Sequence, residues 1–204
     1  MGAGRPFQDK PGLTVHDLAI ARGGRVLFEA LSFAVQPGGY AEVRGANGSG
    51  KTSLLRAIAG FLKPRAGEIT FDHFEEPSEV LHYLGHLNGL KPAASVGDHA
   101  RYWGGLLGGG NERDALAQVG LSRIGDLPVR ALSQGQARRL ALARLLVAPR
   151  PIWLLDEPAA ALDANGRTML SEIILAQRAG GGVVLAAVHE PLGVEPDHVV
   201  TIGA

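Results

Sequence analysis

Cysteine is absent from the sequence, and its absence excludes several kinds of protein at once. Without cysteine there can be no disulfide framework, no zinc finger and no Cys-x-x-Cys-His attachment of a c-type haem. An excess of either charge is also absent, because 20 Lys and Arg stand against 20 Asp and Glu and the formal net charge at pH 7 is zero. A chain with that balance has no overall positive field that would draw it to nucleic acid. We therefore expect no nucleic acid among its partners.

Long apolar runs are missing as well. Charged residues or glycines interrupt each apolar stretch well before it reaches the roughly 18 residues that indicate a transmembrane helix. Residues 1–12 are polar, are broken by glycine and proline, and lack the apolar core of a signal peptide. We expect residues 1–10 to form a flexible tail, residues 11–204 to form one domain, and the chain to be soluble on its own.

The strongest positive signal is the stretch 45–52, which reads GANGSGKT. In such a loop, glycines let backbone N–H groups turn inward around a polyphosphate, and the following helix adds its positive end. Lys51 would reach the β- and γ-phosphates, and the Thr52 hydroxyl would take one position on Mg²⁺. A plain glycine-rich turn is the alternative, but every position fits the phosphate-loop pattern. We predict that the chain binds a nucleoside triphosphate through Gly45, Ala46, Asn47, Gly48, Ser49, Gly50, Lys51, Thr52 and Ser53.

A second motif lies where an apolar run ends in the adjacent acids Asp156 and Glu157. A buried strand should not end in two carboxylates unless something cationic or catalytic meets them. Asp156 can hold Mg²⁺ through water, and Glu157 can orient and deprotonate an attacking water. The alternative is a helix that begins at Pro158, with the two acids complementing its dipole.

A third motif, the stretch 132–136, reads LSQGQ and precedes an arginine-rich helical segment. It has the form of a capping box, in which Ser133 caps the helix and Gln136 reaches back. That role is a sufficient structural explanation. The same geometry, with an unhindered Gly135, would also present amides and a hydroxyl to an anion.

Hydrophobic patterns predict an α/β fold. Strand patterns cover residues 13–20, 26–35, 40–44, 68–71, 80–84, 152–155, 183–188 and 198–202, and helical patterns follow residue 50 and cover about 163–178. The middle of the chain reads as helical, with Ser95 and Asp98 as a capping box. We predict a mainly parallel sheet covered on both faces, an antiparallel β segment and an inserted helical subdomain at about 86–147.

These motifs together resemble those of ABC-type ATPase subunits, in the same order and spacing, over essentially residues 13–204. The resemblance implies a homodimer that hydrolyses MgATP at two sites on its head-to-tail interface. Ser133 and Gly135 of one subunit would contact the γ-phosphate bound by the other, with Gln136 beside them. Asp163 would lie at the dimer seam. The residues that the resemblance assigns to catalysis are Lys51, Glu157 and His189, the last as a switch histidine.

Two further positions, His86 and Arg22, depart from the pattern of most ABC-type ATPase subunits. The stretch 83–86, YLGH, followed by Leu90-Lys91-Pro92, is similar to the ATPase subunits of cytochrome c maturation haem exporters. His86 stands where the wider family has a glutamine that contacts Mg²⁺, so His86 is a candidate metal ligand; a change from glutamine in another exporter is the alternative. Arg22 stands where many members stack an aromatic ring on adenine, and a guanidinium plane can also stack on a base.

The resemblance implies a peripheral ATPase at the cytoplasmic face of the inner membrane. It would drive the integral membrane subunit of a cytochrome c maturation transporter. One alternative is the ATPase of another ABC transporter with a different cargo. A second is a soluble ABC-type ATPase acting on nucleic acid or ribosomes, which usually has two such cassettes or a long coiled coil. A P-loop kinase would not explain residues 132–136.

Overall fold

A computed structural model describes residues 7, 10–74 and 80–203 of the chain. Apart from Phe7 and Lys10, the predicted tail lies outside these residues. The chain divides into two compact units. We call Met1–Tyr83, Arg150–Glu157 and Ile173–Ala204 the core unit, and Leu84–Pro149 with Pro158–Glu172 the helical unit. The helical unit thus takes in a segment after Glu157 that the sequence did not assign to it, and our estimate of about 86–147 stays a prediction.

One sheet of the core unit is antiparallel, with strand order β2-β1-β4. Its strands are β1 (Leu13–Arg22), β2 (Arg25–Val35) and β4 (Ala66–Phe71). Arg22 pairs with Arg25 across a two-residue turn, in which Gly23 has φ 56° and Gly24 has φ 79°. Positive φ at both turn positions is the geometry that matches the twist of a hairpin, and glycine adopts it readily. The predicted antiparallel β segment is therefore confirmed.

The other sheet has strand order β5-β6-β7-β3-β8, and β3 pairs in parallel with both β7 and β8. Its strands are β3 (Tyr40–Arg44), β5 (Leu81–Leu84), β6 (Ile152–Asp156), β7 (Val183–Ala187) and β8 (His198–Thr201). Every residue of β6 and β7 is buried, as expected for parallel strands covered on both faces. Helix α1 (Lys51–Ile58) packs its apolar side on β6 and β7. This packing brings the end of β3, the start of α1 and the end of β6 into one region.

Strand β3, which lies between β7 and β8, carries a buried polar network. Glu42 is fully buried, and its carboxylate accepts hydrogen bonds from the Tyr40 hydroxyl at 2.7 Å and from Arg44 Nη2 at 2.6 Å. Alternate residues of a strand share one face, so the three side chains lie in a row. Burial, followed by the hydrogen bond to Glu42, raises the pKa of Tyr40 above its ordinary value. The network anchors the strand that leads into the loop 45–50.

Helices dominate the helical unit. Helix α2 (Val96–Leu107) begins with the predicted capping box of Ser95 and Asp98 and ends at Gly108, which has φ 73°. Helices α3 (Glu112–Gln118) and α4 (Gln134–Val147) pack against α2 and against each other. Single 3₁₀ turns at Ser122–Ile124 and Val129–Ala131 lie between α3 and α4. Helix α5 (Ala164–Ala179) begins in the helical unit and ends in the core unit.

The predicted strands and helices are present, and their ends differ from the prediction by no more than two residues. Among the described residues, no helix combines the length and the hydropathy that crossing a bilayer requires.

Candidate nucleotide-binding and hydrolysis site

The loop 45–50 curls between β3 and α1 in a path that needs glycine. Gly48 has φ 79° and Gly50 has φ 113°, both in the region that other residues rarely adopt. Gly45 is also constrained by space, because a Cβ there would lie 2.3 Å from the carbonyl oxygen of Ile202 and 2.7 Å from Ser49 Oγ. The Ser49 N–H donates to the carbonyl of Ala46 at 3.2 Å and closes the turn. The loop is thus shaped by its own backbone.

Lys51 is the first residue of α1, and its ammonium group lies inside the curve of the loop. The residue is 7% exposed, and Nζ donates to the carbonyl oxygens of Gly45 at 2.7 Å and Ala46 at 3.1 Å. The first turn of α1 carries no acid. The helix N-terminus and a buried cation therefore meet at one point, which is the arrangement that binds phosphate.

Glu157 and the end of the β1–β2 hairpin join this loop around a pocket of about 320 Å³. Pockets of that size and larger are typical of small-molecule sites. Arg22 is one of the lining residues and is exposed. The residues that line it are Arg22, Leu27, Asn47, Gly48, Gly50, Lys51, Thr52, Ser53 and Glu157. The structure thus brings together most of the core-unit residues that the sequence assigned to a nucleotide.

Thr52 and Asp156 are hydrogen-bonded although they lie 104 positions apart in the sequence. The Thr52 hydroxyl donates to Asp156 Oδ2 at 2.9 Å and Oδ1 at 3.1 Å, and Asp156 is only 2% exposed. Hydroxyl and carboxylate oxygens are the hard ligands that Mg²⁺ prefers, usually together with water and phosphate. These two residues therefore fit the ion that phosphate loops use. In the described ranges, no group of three or more His, Asp or Glu side chains could hold a metal by itself.

Glu157 follows β6 in an unusual backbone conformation. Its φ is 49°, and its N–H donates to the carbonyl of Ala187 at 2.9 Å. Its carboxylate oxygen Oε1 lies 2.9 Å from Nε2 of His189, and the two side chains are 31% and 45% exposed. A carboxylate and an imidazole are thus paired where water can reach them. The alternative of a helix beginning at Pro158 is wrong, because residues 158–161 form a turn and α5 begins at Ala164.

The stretch 132–136 forms the capping box that its sequence predicts. Ser133 Oγ accepts from the Gln136 N–H at 3.1 Å, and Gln136 Oε1 accepts from the Ser133 N–H at 2.9 Å. Gly135 lies close to the turn after Glu157, since a Cβ there would be 3.0 Å from the carbonyl oxygen of Ala161.

Asp163 lies next to the same helix. Its Oδ1 accepts from the Gly166 N–H at 2.8 Å and pairs with Arg139 Nη2 at 2.5 Å. These two bonds, the Gly166 N–H first, hold the pKa of Asp163 below its ordinary value. Asp163 therefore joins α4 to the start of α5.

Ser133, Gly135, Gln136 and the exposed His86 all belong to the helical unit. The roles at a nucleotide that the family resemblance implies for these residues stay predictions. The sequence missed Leu27 in the pocket and Arg138, a buried arginine of α4. The position of Arg138, three residues after Gly135 on a helix, was the available signal, because residues at that spacing share a face.

Residues 28–160 match the sequence model of the ABC transporter family. A relative from Nitrobacter winogradskyi is 46% identical over 187 residues, which cover 89% of this chain and 94% of that protein. A relative from Rhodopseudomonas palustris (strain HaA2) is 47% identical over 188 residues, with the same coverage of 89% and 94%. Both are named cytochrome c biogenesis ATP-binding export protein CcmA.

Solved structures agree on the fold. A putative ABC transporter ATP-binding protein from Pyrococcus furiosus superposes with a TM-score of 0.81 at 26% identity, covering 94% of this chain and 97% of that one. A bacterial Atm1-family ABC exporter with ATP bound superposes with a TM-score of 0.82 at 20% identity, covering 100% of this chain and 38% of the exporter. The predicted fold class, an α/β P-loop ATPase of ABC type, is confirmed.

Proposed function

Since this chain belongs to the ABC transporter family, with relatives named as ATP-binding export proteins of cytochrome c biogenesis, we propose that it is the ATP-hydrolysing subunit of such an export system. The observation that carries the proposal is one pocket that joins a phosphate loop to Glu157, next to the paired oxygens of Thr52 and Asp156. A binding module alone would not need a carboxylate and an imidazole paired beside the phosphate loop.

Lys51 and the loop amides bind the triphosphate. The ammonium group exchanges its bonds to the loop carbonyls for the β- and γ-phosphate oxygens, where its charge stabilises the transferring phosphoryl group. Thr52 and Asp156 would hold Mg²⁺, which supplies further neutralisation of phosphate charge. Arg22 and Leu27 also line the pocket, and we infer that they contact the base, with the guanidinium plane stacked on it.

Glu157 is the general base of the proposed reaction. It orients a water molecule and accepts its proton while the water oxygen attacks the γ-phosphorus, and ADP leaves with the electrons of the broken bond. His189 Nε2 lies 2.9 Å from Glu157 Oε1, and we infer that His189 binds the γ-phosphate. Both groups are reachable by water, as the reaction requires.

A second copy of the chain completes each site. Ser133, Gly135 and Gln136 lie at the start of α4, and the N-terminal end of a helix attracts an anion. We place these residues on the γ-phosphate held by the partner, in a head-to-tail homodimer. The dimer is peripheral, at the cytoplasmic face of the inner membrane, and drives an integral membrane subunit of the cytochrome c maturation system.

The substitution Glu157→Gln tests this function. The variant should bind MgATP and dimerise, with its turnover reduced about 10²- to 10⁴-fold, because the amide cannot accept the proton. Steady-state hydrolysis and nucleotide titration measure the two effects. Glu172→Gln, at an exposed position of α5, is the charge-matched control and should hydrolyse ATP as the wild type does.

The same variant tests the biological assignment. Cells that carry only Glu157→Gln should lose covalently bound haem from c-type cytochromes while other haem proteins stay intact. Normal c-type haem, with the variant expressed and inactive, would leave an ABC ATPase that serves a different cargo. A turnover like that of the wild type would instead remove Glu157 as the base.

A further inference from the structure

Arg138 of α4 is a buried arginine that the proposed mechanism does not use. The residue is 2% exposed, although arginine is rarely buried unless its donors are satisfied. Its Nε donates to the carbonyl oxygen of Pro158 at 3.1 Å. Its Nη1 donates to the carbonyl oxygen of Gly85 and to Asn88 Oδ1, both at 3.0 Å. One guanidinium therefore holds two segments that are far apart in the sequence.

The first segment is the turn that follows Glu157. Pro158 is the next residue in the chain, and residues of α4 contact the turn 158–161 and Asp163 after it. Gly135 approaches the carbonyl of Ala161, Arg138 binds the carbonyl of Pro158, and Arg139 pairs with Asp163. Positions 135, 138 and 139 are spaced by three and four, so they form one face of the helix. This face of α4 fixes the backbone that continues from the proposed base.

The second segment is the loop from Gly85 to Asn88. Arg138 binds it at both ends, through a backbone carbonyl and through an amide side chain. Between these ends lie His86 and Leu87, both exposed, with Leu87 83% exposed. A protein or ligand that moved this outer part of the loop would also move the two groups that the guanidinium holds.

We propose that Arg138 is a positioning residue for hydrolysis, which links the loop 85–88 to the backbone that carries Glu157. The inference rests on the proposed function, because it takes Glu157 as the base. A guanidinium is planar, and its donors have fixed directions, so a shift at one acceptor changes the geometry at the others. Small displacements of a catalytic group are enough to slow a reaction strongly.

Two substitutions at this position separate positioning from folding. Arg138→Met removes the guanidinium bonds to Pro158, Gly85 and Asn88 while filling similar space, and Arg138→Lys keeps the charge but cannot form the planar set of bonds. We expect Arg138→Met to lower kcat about 10- to 100-fold, while the Kd for MgATP changes by less than about twofold. Arg138→Lys should show the same pattern, and it decides the question if Arg138→Met does not fold. Leu142→Ala, a buried apolar position on the same helix, is the control for general destabilisation.

Combining Arg138→Met with Glu157→Gln distinguishes positioning of the base from a purely structural role of Arg138. If Arg138 acts through Glu157, then Arg138→Met should cause no further loss of the residual rate in that background, since the two effects share one step. Losses that multiply would overturn the inference. It would also be overturned by a normal kcat in Arg138→Met, or by an equal loss of kcat in Leu142→Ala at a matched Tm. A wild-type protein without ATPase activity would overturn the proposed function itself, and a normal rate in Glu157→Gln would overturn the base on which this inference rests.

Discussion

Glu42 places a fully buried carboxylate in β3, an inner strand of the five-stranded sheet, three residues before the phosphate loop. A buried charge is tolerated only when its hydrogen-bonding capacity is filled, and here Tyr40 and Arg44 fill it from the two neighbouring positions on the same face. The arrangement holds Arg44, the residue directly before Gly45. The hydrogen bonds of Glu42 thus hold the end of β3, from which the phosphate loop continues.

Removing one donor of this network should destabilise the fold. We predict that Tyr40→Phe lowers the free energy of unfolding by about 1–3 kcal/mol, because Glu42 then keeps an unsatisfied buried oxygen. Urea denaturation measures the effect. Tyr102→Phe is the matched control, since that residue is 58% exposed and should change stability little. Equal stability of the two variants would mean that the hydroxyl of Tyr40 contributes nothing measurable.

At the scale of one element, α2 is fixed by local chemistry at both ends. Asp98 accepts from the Ser95 N–H at 3.0 Å and from the Ser95 hydroxyl at 2.8 Å, and it pairs with Arg101. The Ser95 N–H first, then the hydroxyl and Arg101, lower the pKa of Asp98 from 3.8 to about 2. The hydrogen bonds that form the cap therefore stabilise the charged form of Asp98.

The lowered pKa of Asp98 predicts how the cap responds to acid. Its contribution to stability is complete above the ordinary pKa of about 3.8 and is lost as pH falls toward 2. Carbon-detected NMR of the Asp98 carboxyl should give a midpoint near 2. Ser95→Ala removes the hydroxyl but keeps the N–H, so it should raise the midpoint only part of the way. A midpoint near 3.8 in the wild type would contradict the cap.

Elements whose signals are local could be predicted from sequence, and contacts across the chain could not. Ser95, Asp98 and Gly108 fix both ends of α2 by capping, which depends on neighbours alone. The phosphate loop was equally visible. The burial of Glu42 and Arg138 was not, because each depends on partners that only the folded chain supplies. For the same reason the sequence did not assign residues 158–172 to the helical unit.

At the scale of the whole molecule, the proposed dimer has sites that two chains share. A mixture of Lys51→Ala chains and Ser133→Arg chains should therefore recover activity that neither has alone. A heterodimer contains one intact site, and half of randomly formed dimers are heterodimers, so we expect about a quarter of the wild-type rate. Titration of one inactive chain into the other, with ATP hydrolysis as the readout, measures it. No recovery, with dimers present, would exclude sites built from both chains.

The backbone of Glu157 has a consequence for the engineering of this protein. A glutamate held at φ 49° is strained, at about 1–3 kcal/mol for such a conformation, whereas glycine adopts it without strain and asparagine more readily than most residues. The residue that performs the chemistry is therefore also one that weakens the fold. A library selected only for heat resistance would tend to replace Glu157 early, and its winners would be robust proteins that no longer turn over ATP.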